Sequence, residues 1–237
     1  MSKQPPAAMS QAICDGKLSS QAYLSFNGKK MNVLALGAHP DDLEIGCGGT
    51  LSRLRNEGHN ILAITFSEGE KGLSEYTKRS GKRVAETQKA MKTLGSIRTM
   101  CYNLPDTELS DHIAKIIGII EKIVEQYEPD LVFTHTSKDA HQDHRAIHEA
   151  TIVAMQHKTC SILCYENCRT DSSFNPSFFV NLDGVVDKKI TALKRHRTQN
   201  GKPYLTSDVI LANAIFRGSQ ARLKLAEAFE INRMVVV

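Results

Sequence analysis

Two short polar clusters carry most of the residues that could do chemistry. The first, HPDD at residues 39–42, follows the apolar run at 33–37, and the second, HTSKDAHQDH at residues 135–144, follows the apolar run at 131–134. Imidazole and carboxylate groups bind borderline divalent metals, and imidazole also moves protons near neutral pH. In a parallel sheet, ligands bind at the carboxyl ends of the strands, so we expect both clusters to lie at one edge of one sheet.

The residue types in these clusters are typical of a catalytic metal site. Three protein ligands of mixed imidazole and carboxylate type, with one open position for water, describe catalytic rather than structural zinc. His39 and one of the adjacent Asp41 and Asp42 can ligate, which leaves the other aspartate as a general base. His141 and His144 are three residues apart, so one of them can ligate while the other faces the substrate.

The segments that must position these residues alternate between strand and helix patterns. Apolar or β-branched runs predict strands at 33–37, 61–66, 98–102 and 131–135. Amphipathic stretches predict helices at 47–57, 82–94, 111–127 and 143–156. Strands that are apolar throughout indicate a mostly parallel sheet that helices cover on both faces, and therefore an α/β fold.

Composition narrows the classes of protein that fit. The chain has 237 residues, 41% of them hydrophobic, and a net charge of only +4 with both signs interleaved. This balance disfavours a nucleic-acid partner, and the absence of a long apolar run disfavours a membrane span. We expect a soluble cytoplasmic protein whose six cysteines are reduced. Residues 1–30 lack periodicity and are predicted to be an N-terminal extension, with a single domain at 31–237.

Other catalytic signatures fit less well. No GxSxG nucleophile elbow is present, which disfavours a serine hydrolase. Gly46, Gly48 and Gly49 resemble a dinucleotide loop, but the polar HPDDLE stretch separates them from the strand. We therefore interpret these glycines as the closely packed start of a helix, where an anion could still be attracted.

The two clusters together resemble a known family. GAHPDDLEIGCGGTL at 37–51 and PDLVFTHTSKDAHQDHR at 129–145 are similar to the LmbE-like, PIG-L type family of zinc-dependent N-deacetylases. Further blocks resemble the family in the same order, and the likeness extends from about residue 31 to residue 231. The resemblance implies a Rossmann-like three-layer fold and an enzyme that removes the acetyl group from N-acetylglucosamine-containing substrates.

The resemblance also implies a role for each site residue. Zinc would be bound by His39, Asp42 and His144, with Asp41 as the base and protonated His141 stabilising the oxyanion after a zinc-bound water attacks the acetyl carbonyl. The sequence is equally compatible with Asp41 and with His141 as the donor of the proton to the leaving amine. We expect Asp143 to hold the imidazole of His141 in orientation and to favour its charged form. Arg83 and Asp106 match positions that contact sugar hydroxyls in the family; as surface residues they could equally be a helix-start charge and a turn carboxylate.

The implied substrate is a small 2-acetamido sugar conjugate. The group beyond the sugar is left open, and a nucleotide, a thiol or an inositol all fit. Family members often form trimers or hexamers, so the resemblance implies a homo-oligomer.

Two other classes of function share parts of this pattern. A two-histidine, one-carboxylate iron oxygenase uses the same ligand types, and iron is an alternative metal here. A non-enzymatic sugar- or nucleotide-binding domain would use the same scaffold without Asp41, His141 or a metal. Metal analysis together with an acetate-release assay separates the three classes.

Overall fold

The fold is built on one sheet of seven strands. The computed structural model describes residues 30–73 and 81–235. The strands are β1 (Asn32–Gly37), β2 (Asn60–Thr65), β3 (Arg98–Cys101), β4 (Leu131–His135), β5 (Ser161–Tyr165), β6 (Phe178–Asn181) and β7 (Ala226–Arg233). Their order across the sheet is β3-β2-β1-β4-β5-β7-β6.

Seven α-helices connect or flank these strands. They are α1 (Asp42–Gly46), α2 (Gly48–Asn56), α3 (Lys82–Thr93), α4 (Ile113–Tyr127), α5 (Gln142–Ala154), α6 (Val186–Leu193) and α7 (Ser207–Gln220), counted within the described residues. Short 3-10 turns add Glu70–Gly72, Leu109–His112, Arg197–Gln199 and Pro203–Leu205.

The first five strands are parallel, and the last two are antiparallel. β1 pairs with β2 on one side and with β4 on the other, so the order of strands reverses direction between β1 and β4. β7 runs antiparallel to both β5 and β6. Ligands of open α/β sheets bind at the carboxyl ends of the strands where the order reverses, and both polar clusters begin there.

Both faces of the sheet are buried. Leu34, Leu36 and Val132 on one face belong to a core cluster that includes Ile116 of α4 and Ile147 of α5. The alternate residues of the same strands are equally buried: Val33, Ala35 and Phe133. On their side α6 contacts both α2 and α3. Because side chains alternate along a strand, this pattern requires helices on both faces.

The predicted α/β fold with a mostly parallel sheet is confirmed. Each predicted strand and helix is present within about two residues of its predicted bounds. The helices α1 and α7 and the antiparallel strands β6 and β7 were not predicted. Within residues 30–73 and 81–235, every helix is too short or too polar to cross a membrane. Residues 1–29 of the predicted N-terminal extension lie outside the described residues, and the domain boundary stays a prediction.

Candidate metal centre and catalytic cavity

The two polar clusters meet in one cavity of about 320 Å³. β1 and β4 are adjacent and parallel, so the residues that follow them emerge side by side. The predicted site residues that line the cavity are His39, Asp41, Asp42, Arg83, Asp106, His141 and His144. Asp143 is fully buried directly behind this wall. The sequence therefore predicted which side chains come together.

His39, Asp42 and His144 form a compact buried group. Nδ1 of His39 lies 3.4 Å from Oδ2 of Asp42, and Nε2 of His144 lies 3.2 Å from Oδ1 of the same carboxylate. The backbone N–H of His39 also donates to Asp42 at 2.7 Å. One nitrogen of each imidazole therefore faces a shared carboxylate.

The other nitrogen of each imidazole is held by a carboxylate behind it. Nε2 of His39 lies 3.0 Å from both Asp106 and Asp143, and Nδ1 of His144 lies 3.0 Å from Asp139. Metal-binding histidines commonly have such partners, which fix the tautomer and the ring orientation. Burial opposes the charged form of His39, but these hydrogen bonds outweigh it and raise the pKa of His39.

The donor set fits a divalent cation. The ligand atoms of His39, Asp42 and His144 lie within 4.8 Å of one another. Among the described residues, Arg83 is the only arginine or lysine that pairs with any of the five carboxylates buried here, which are Asp41, Asp42, Asp106, Asp139 and Asp143. Buried charges need compensation, and a dication at the three ligands would supply it. Two nitrogens and one carboxylate oxygen suit zinc.

Two other groups of metal-ligating side chains fit less well. One combines His39 and His141 with Asp143, and the other combines His135 and Asp139 with His144. Asp143, His135 and Asp139 do not line the cavity. His39, Asp42 and His144 all line it. Since a catalytic metal must reach its substrate, His39, Asp42 and His144 are the better ligand set.

Asp41 stands apart from its neighbour Asp42. Its backbone has φ 102° and ψ −23°, a left-handed conformation that is unfavourable for a residue with a side chain. Asp42 begins α1, so the two carboxylates point in different directions. Burial raises the pKa of Asp41, and the positive charge of Arg83 opposes that rise. Strained backbone at a buried acid is a feature of functional sites.

Arg83 is buried against the backbone. Its guanidinium donates to the carbonyls of Gly69 at 2.7 Å and Pro40 at 2.6 Å, and to Oδ1 of Asp41 at 3.2 Å. A Cβ at Gly69, which has φ +65°, would lie 2.1 Å from Nη1 of Arg83. The alternative of a solvated charge at a helix start is wrong, because Arg83 is only 5% exposed.

Asp106 is also buried, so the alternative of an exposed turn carboxylate is wrong. Oδ1 of Asp106 contacts His39, and Oδ2 accepts from the backbone N–H of Lys71 at 2.9 Å. Burial raises the pKa of Asp106, but these hydrogen bonds and the charge of His39 outweigh it and bring the pKa to about 2. Contact of Arg83 and Asp106 with sugar hydroxyls stays a prediction.

The expectation for Asp143 is wrong in its contacts. The carboxylate of Asp143 faces His39 and accepts from the backbone N–H groups of Thr107 at 2.7 Å and Leu109 at 3.1 Å. It is the backbone N–H of Asp143, not the carboxylate, that contacts Nδ1 of His141, at 3.2 Å. Asp143 therefore orients His39.

This contact also bears on the protonation of His141. An Nδ1 that accepts a hydrogen bond carries no proton, so this contact favours the neutral form of His141 with its proton on Nε2. Burial lowers the pKa of His141, and the neighbouring His39 and His144 lower it further. The expected protonated imidazole is therefore not favoured, and His141 presents a neutral N–H.

Three residues near Asp42 had no predicted role. Asn167 donates from Nδ2 to Oδ1 of Asp42 at 3.0 Å. Nε2 of His135 accepts from the backbone N–H of Ala38 and lies 3.3 Å from Asp42, and burial lowers its pKa to about 4. Asp139 supports His144. His135 and Asp139 lie in the second polar cluster and are residue types that bind metals, so the sequence could have pointed to them. No sequence pattern around Asn167 indicated a role in the site.

The glycine-rich start of α2 already holds an anion from the chain itself. The carboxylate of Glu227 accepts from the backbone N–H groups of Gly49 at 2.9 Å and Thr50 at 2.6 Å. Lys189 pairs with the same carboxylate at 2.6 Å. The helix N-terminus is thus capped from β7, which agrees with the interpretation of the glycines as a packing feature.

A second cavity of about 290 Å³ adjoins the first. Both are lined by Ile45, Asn167, Cys168 and Tyr204, and the second continues along α7 past Val209. The two cavities together offer room for a ligand larger than one sugar ring.

Comparisons with known proteins agree with this geometry. Residues 34–155 match the PIG-L family, described as GlcNAc-PI de-N-acetylase. The chain is 34% identical over 188 residues to the uncharacterized deacetylase YaiS of Escherichia coli K12, covering 77% of this chain and 99% of YaiS.

Solved structures share the fold at low identity. N,N'-diacetylchitobiose deacetylase from Pyrococcus horikoshii superposes with a TM-score of 0.76 at 20% identity, covering 98% of this chain and 94% of that one. GalB, the 4-carboxy-2-hydroxymuconate hydratase from Pseudomonas putida KT2440, superposes with a TM-score of 0.66 at 20% identity, covering 87% and 98%. At these identities the likeness shows the fold alone, whereas the family match extends over the residues of both clusters. The chain belongs to the PIG-L family of deacetylases.

Proposed function

We propose that the protein is a zinc-dependent hydrolase that removes the acetyl group from the nitrogen of a 2-acetamido sugar conjugate. The observation that carries the proposal is the buried group of His39, Asp42 and His144, which opens into the cavity beside Asp41 and His141. Zinc held by the three ligands would supply a water of lowered pKa, about 7 instead of about 16, and would polarise the acetyl oxygen.

Asp41 is the general base of this proposal. Its Oδ1 is held by Arg83, so Oδ2 is the oxygen that accepts the proton of the attacking water. Arg83 acts through Asp41 as a positioning residue, because its donors also fix the carbonyls of Pro40 and Gly69. The strained backbone of Asp41 and the Arg83 contacts together keep this carboxylate apart from the metal ligand Asp42.

His141 stabilises the negative charge that develops on the acetyl oxygen. Its neutral ring donates from Nε2, while Nδ1 stays bonded to the backbone N–H of Asp143. A neutral imidazole is a poor acid, so the proton for the leaving amine comes from Oδ2 of Asp41. The water oxygen forms the new bond to the acetyl carbon as Asp41 takes its proton. The carbon–nitrogen bond then breaks as Asp41 returns that proton to the amine, and acetate and the amino sugar result.

The substrate class rests on the family description and on the cavity. The description of the family names an N-acetylglucosamine conjugate as the substrate, and the name of the superposed P. horikoshii enzyme gives diacetylchitobiose as its substrate. The cavity wall is rich in polar side chains that suit a hydroxylated ring. We expect acetyl-lysine peptides to react poorly because they lack those hydroxyls.

The experiment is an acetate-release assay on the purified, zinc-loaded protein. The panel contains N-acetylglucosamine, its methyl glycoside, diacetylchitobiose and an acetyl-lysine peptide. We expect acetate from at least one sugar and little from the peptide, with a parallel metal analysis giving about one zinc per chain. Efficient deacetylation of the peptide without sugar activity would contradict the substrate class.

Metal analysis and oxygen-consumption assays of the protein as purified, before any zinc is added, test the alternatives. An iron oxygenase would contain iron and consume oxygen in the presence of a cosubstrate such as a keto acid. A sugar- or nucleotide-binding domain would bind without releasing acetate. A homo-oligomer, trimer or hexamer, stays a prediction.

A further inference from the structure

The cavity wall carries two kinds of cation. Lys71 and Arg83 are committed to protein partners: Nζ of Lys71 lies 2.7 Å from Oε1 of Glu108, and Arg83 pairs with Asp41. Arg169 and Lys202 line the same cavity but have no carboxylate within ion-pair distance among the residues that the structure describes. We call these two residues, together with Cys168 and Tyr204, the mouth of the cavity. The mouth therefore has two positive charges that are available to a ligand.

The backbone that carries Arg169 is fixed against the catalytic loop. Its carbonyl accepts from the N–H of Ala140 at 3.0 Å, and the next residue, Thr170, pairs with Asp139 in an isolated β-bridge. Asn167, two residues earlier, is bonded to Asp42. The side chain of Arg169 is exposed, but its Cα is thus held at a fixed place relative to the metal ligands.

Lys202 is held on the opposite segment. Its backbone N–H donates to the carbonyl of the fully buried Gln199 at 3.2 Å, and its Nζ lies 5.8 Å from the ring centroid of Tyr204. Burial lowers the pKa of Lys202; the charge of Asp41 opposes this, and the charges of Arg83 and Arg169 add to it. A bound anion would relieve this repulsion between the two cations.

We propose that Arg169 and Lys202 bind an anionic group, a carboxylate or a phosphate, that the acetamido sugar carries beyond its N-acetyl group. The inference rests on the proposed function and narrows its substrate to negatively charged conjugates. Arginine and lysine both donate charge-assisted hydrogen bonds to such groups. The commitment of Lys71 and Arg83 to protein partners explains why these two cations, and not the others, are free for this role.

The test compares conjugates that differ in charge at the anomeric position. The probes are the neutral methyl glycoside of N-acetylglucosamine, its carboxymethyl glycoside and N-acetylglucosamine 1-phosphate. We expect kcat/KM to be about 10- to 100-fold higher for one or both anionic probes, mainly through a lower KM. Hydrogen bonds between charged groups strengthen binding by about this factor. Comparison of the carboxymethyl glycoside with the 1-phosphate identifies which anion binds better. Added salt should reduce the preference for anionic over neutral probes.

The double variant Arg169→Gln, Lys202→Gln should bring the ratio of the anionic to the neutral kcat/KM close to one. The matched control, Lys115→Gln, Lys122→Gln, removes two exposed positive charges from α4 and should keep the wild-type ratio. Zinc content and thermal unfolding verify that each variant is folded. Equal kcat/KM for all probes in the wild type, or an unchanged ratio in the mouth variant, would overturn the inference.

Calorimetric binding of the same probes separates this inference from the proposed function. If no sugar releases acetate, the proposed function fails. Tighter binding of an anionic probe that the mouth variant loses would then still support the anion site, and equal binding of all probes would overturn it.

Discussion

The floor and the mouth of the cavity differ in how their charges are balanced. We define the floor as His39, Asp41, Asp42, Arg83, Asp106 and His144, and the mouth as Cys168, Arg169, Lys202 and Tyr204. In the floor every side chain is buried and has at least one protein partner. In the mouth Arg169 and Lys202 have no carboxylate partner among the described residues. The floor is therefore organised before any substrate arrives, whereas the mouth is completed by it.

This difference matches the demands of the two regions. Catalytic groups act best when they are already oriented, because reorganisation during the reaction costs free energy. A recognition surface can instead leave charges in water and gain affinity when a complementary group arrives. Substitutions in the floor should thus change metal binding, turnover and stability, and those in the mouth should change the choice of substrate.

The largest effect is expected when a metal ligand is removed from the floor. His144→Ala should abolish both zinc occupancy and turnover, because it removes one of three protein ligands. His148→Ala is the matched control one turn further along α5, where the ring contacts the carbonyl of His135 instead of the cavity. Metal analysis after dialysis measures the outcome. Full zinc content in the His144→Ala protein would favour His141 as the ligand.

A smaller loss is expected when a carboxylate behind a ligand is neutralised. Asp143→Asn and Asp139→Asn should each lower zinc affinity or activity by about 10- to 100-fold, since such partners orient the ligating imidazoles. The exposed Asp111→Asn serves as the control. Competition with a chromogenic chelator gives the dissociation constants. Wild-type zinc affinity and activity in both variants would show that these carboxylates do not support the ligands.

One arginine in each region allows the simplest comparison of the stability of floor and mouth variants. Arg83→Gln leaves Asp41 buried without its partner and should lower the free energy of unfolding by about 3–5 kcal/mol. Arg169→Gln changes an exposed side chain without an ion pair and should stay within about 0.5 kcal/mol of wild type. Urea denaturation of the zinc-free proteins measures both. Similar values for the two variants would contradict the contrast between the regions.

The fold was predictable because local patterns and tertiary packing agree. The apolar runs of β1 and β4 are buried on both faces, which predicts parallel strands and places the polar residues after them at one edge. β6 was not predicted because it is only four residues long, and so short an apolar run does not distinguish a strand from a helix segment or a loop. Its position is determined by pairing with β7 and not by a sequence period.

The site was predictable in its members but not in their contacts. Residue type and position after a strand pointed to His39, to one of Asp41 and Asp42, and to one of His141 and His144. The family resemblance implied Asp42 and His144 as the ligands, and the structure brings these side chains together. The partner of Asp143 was not predictable, because it lies 104 residues away at His39. The burial of Arg83 depends on carbonyls of two separate loops, and no local pattern reports such long-range hydrogen bonds.

The central claim is that the two adjacent aspartates of the floor have different tasks. Its most direct test is the zinc dissociation constant and the turnover number of Asp41→Asn and Asp42→Asn, measured side by side. We predict that Asp41→Asn keeps zinc affinity but loses about 10²- to 10⁴-fold in turnover, without rescue by excess zinc. Asp42→Asn should bind zinc weakly and recover part of its activity in excess zinc. Loss of zinc by Asp41→Asn with retention by Asp42→Asn would reverse the roles, and wild-type turnover in both would contradict the account.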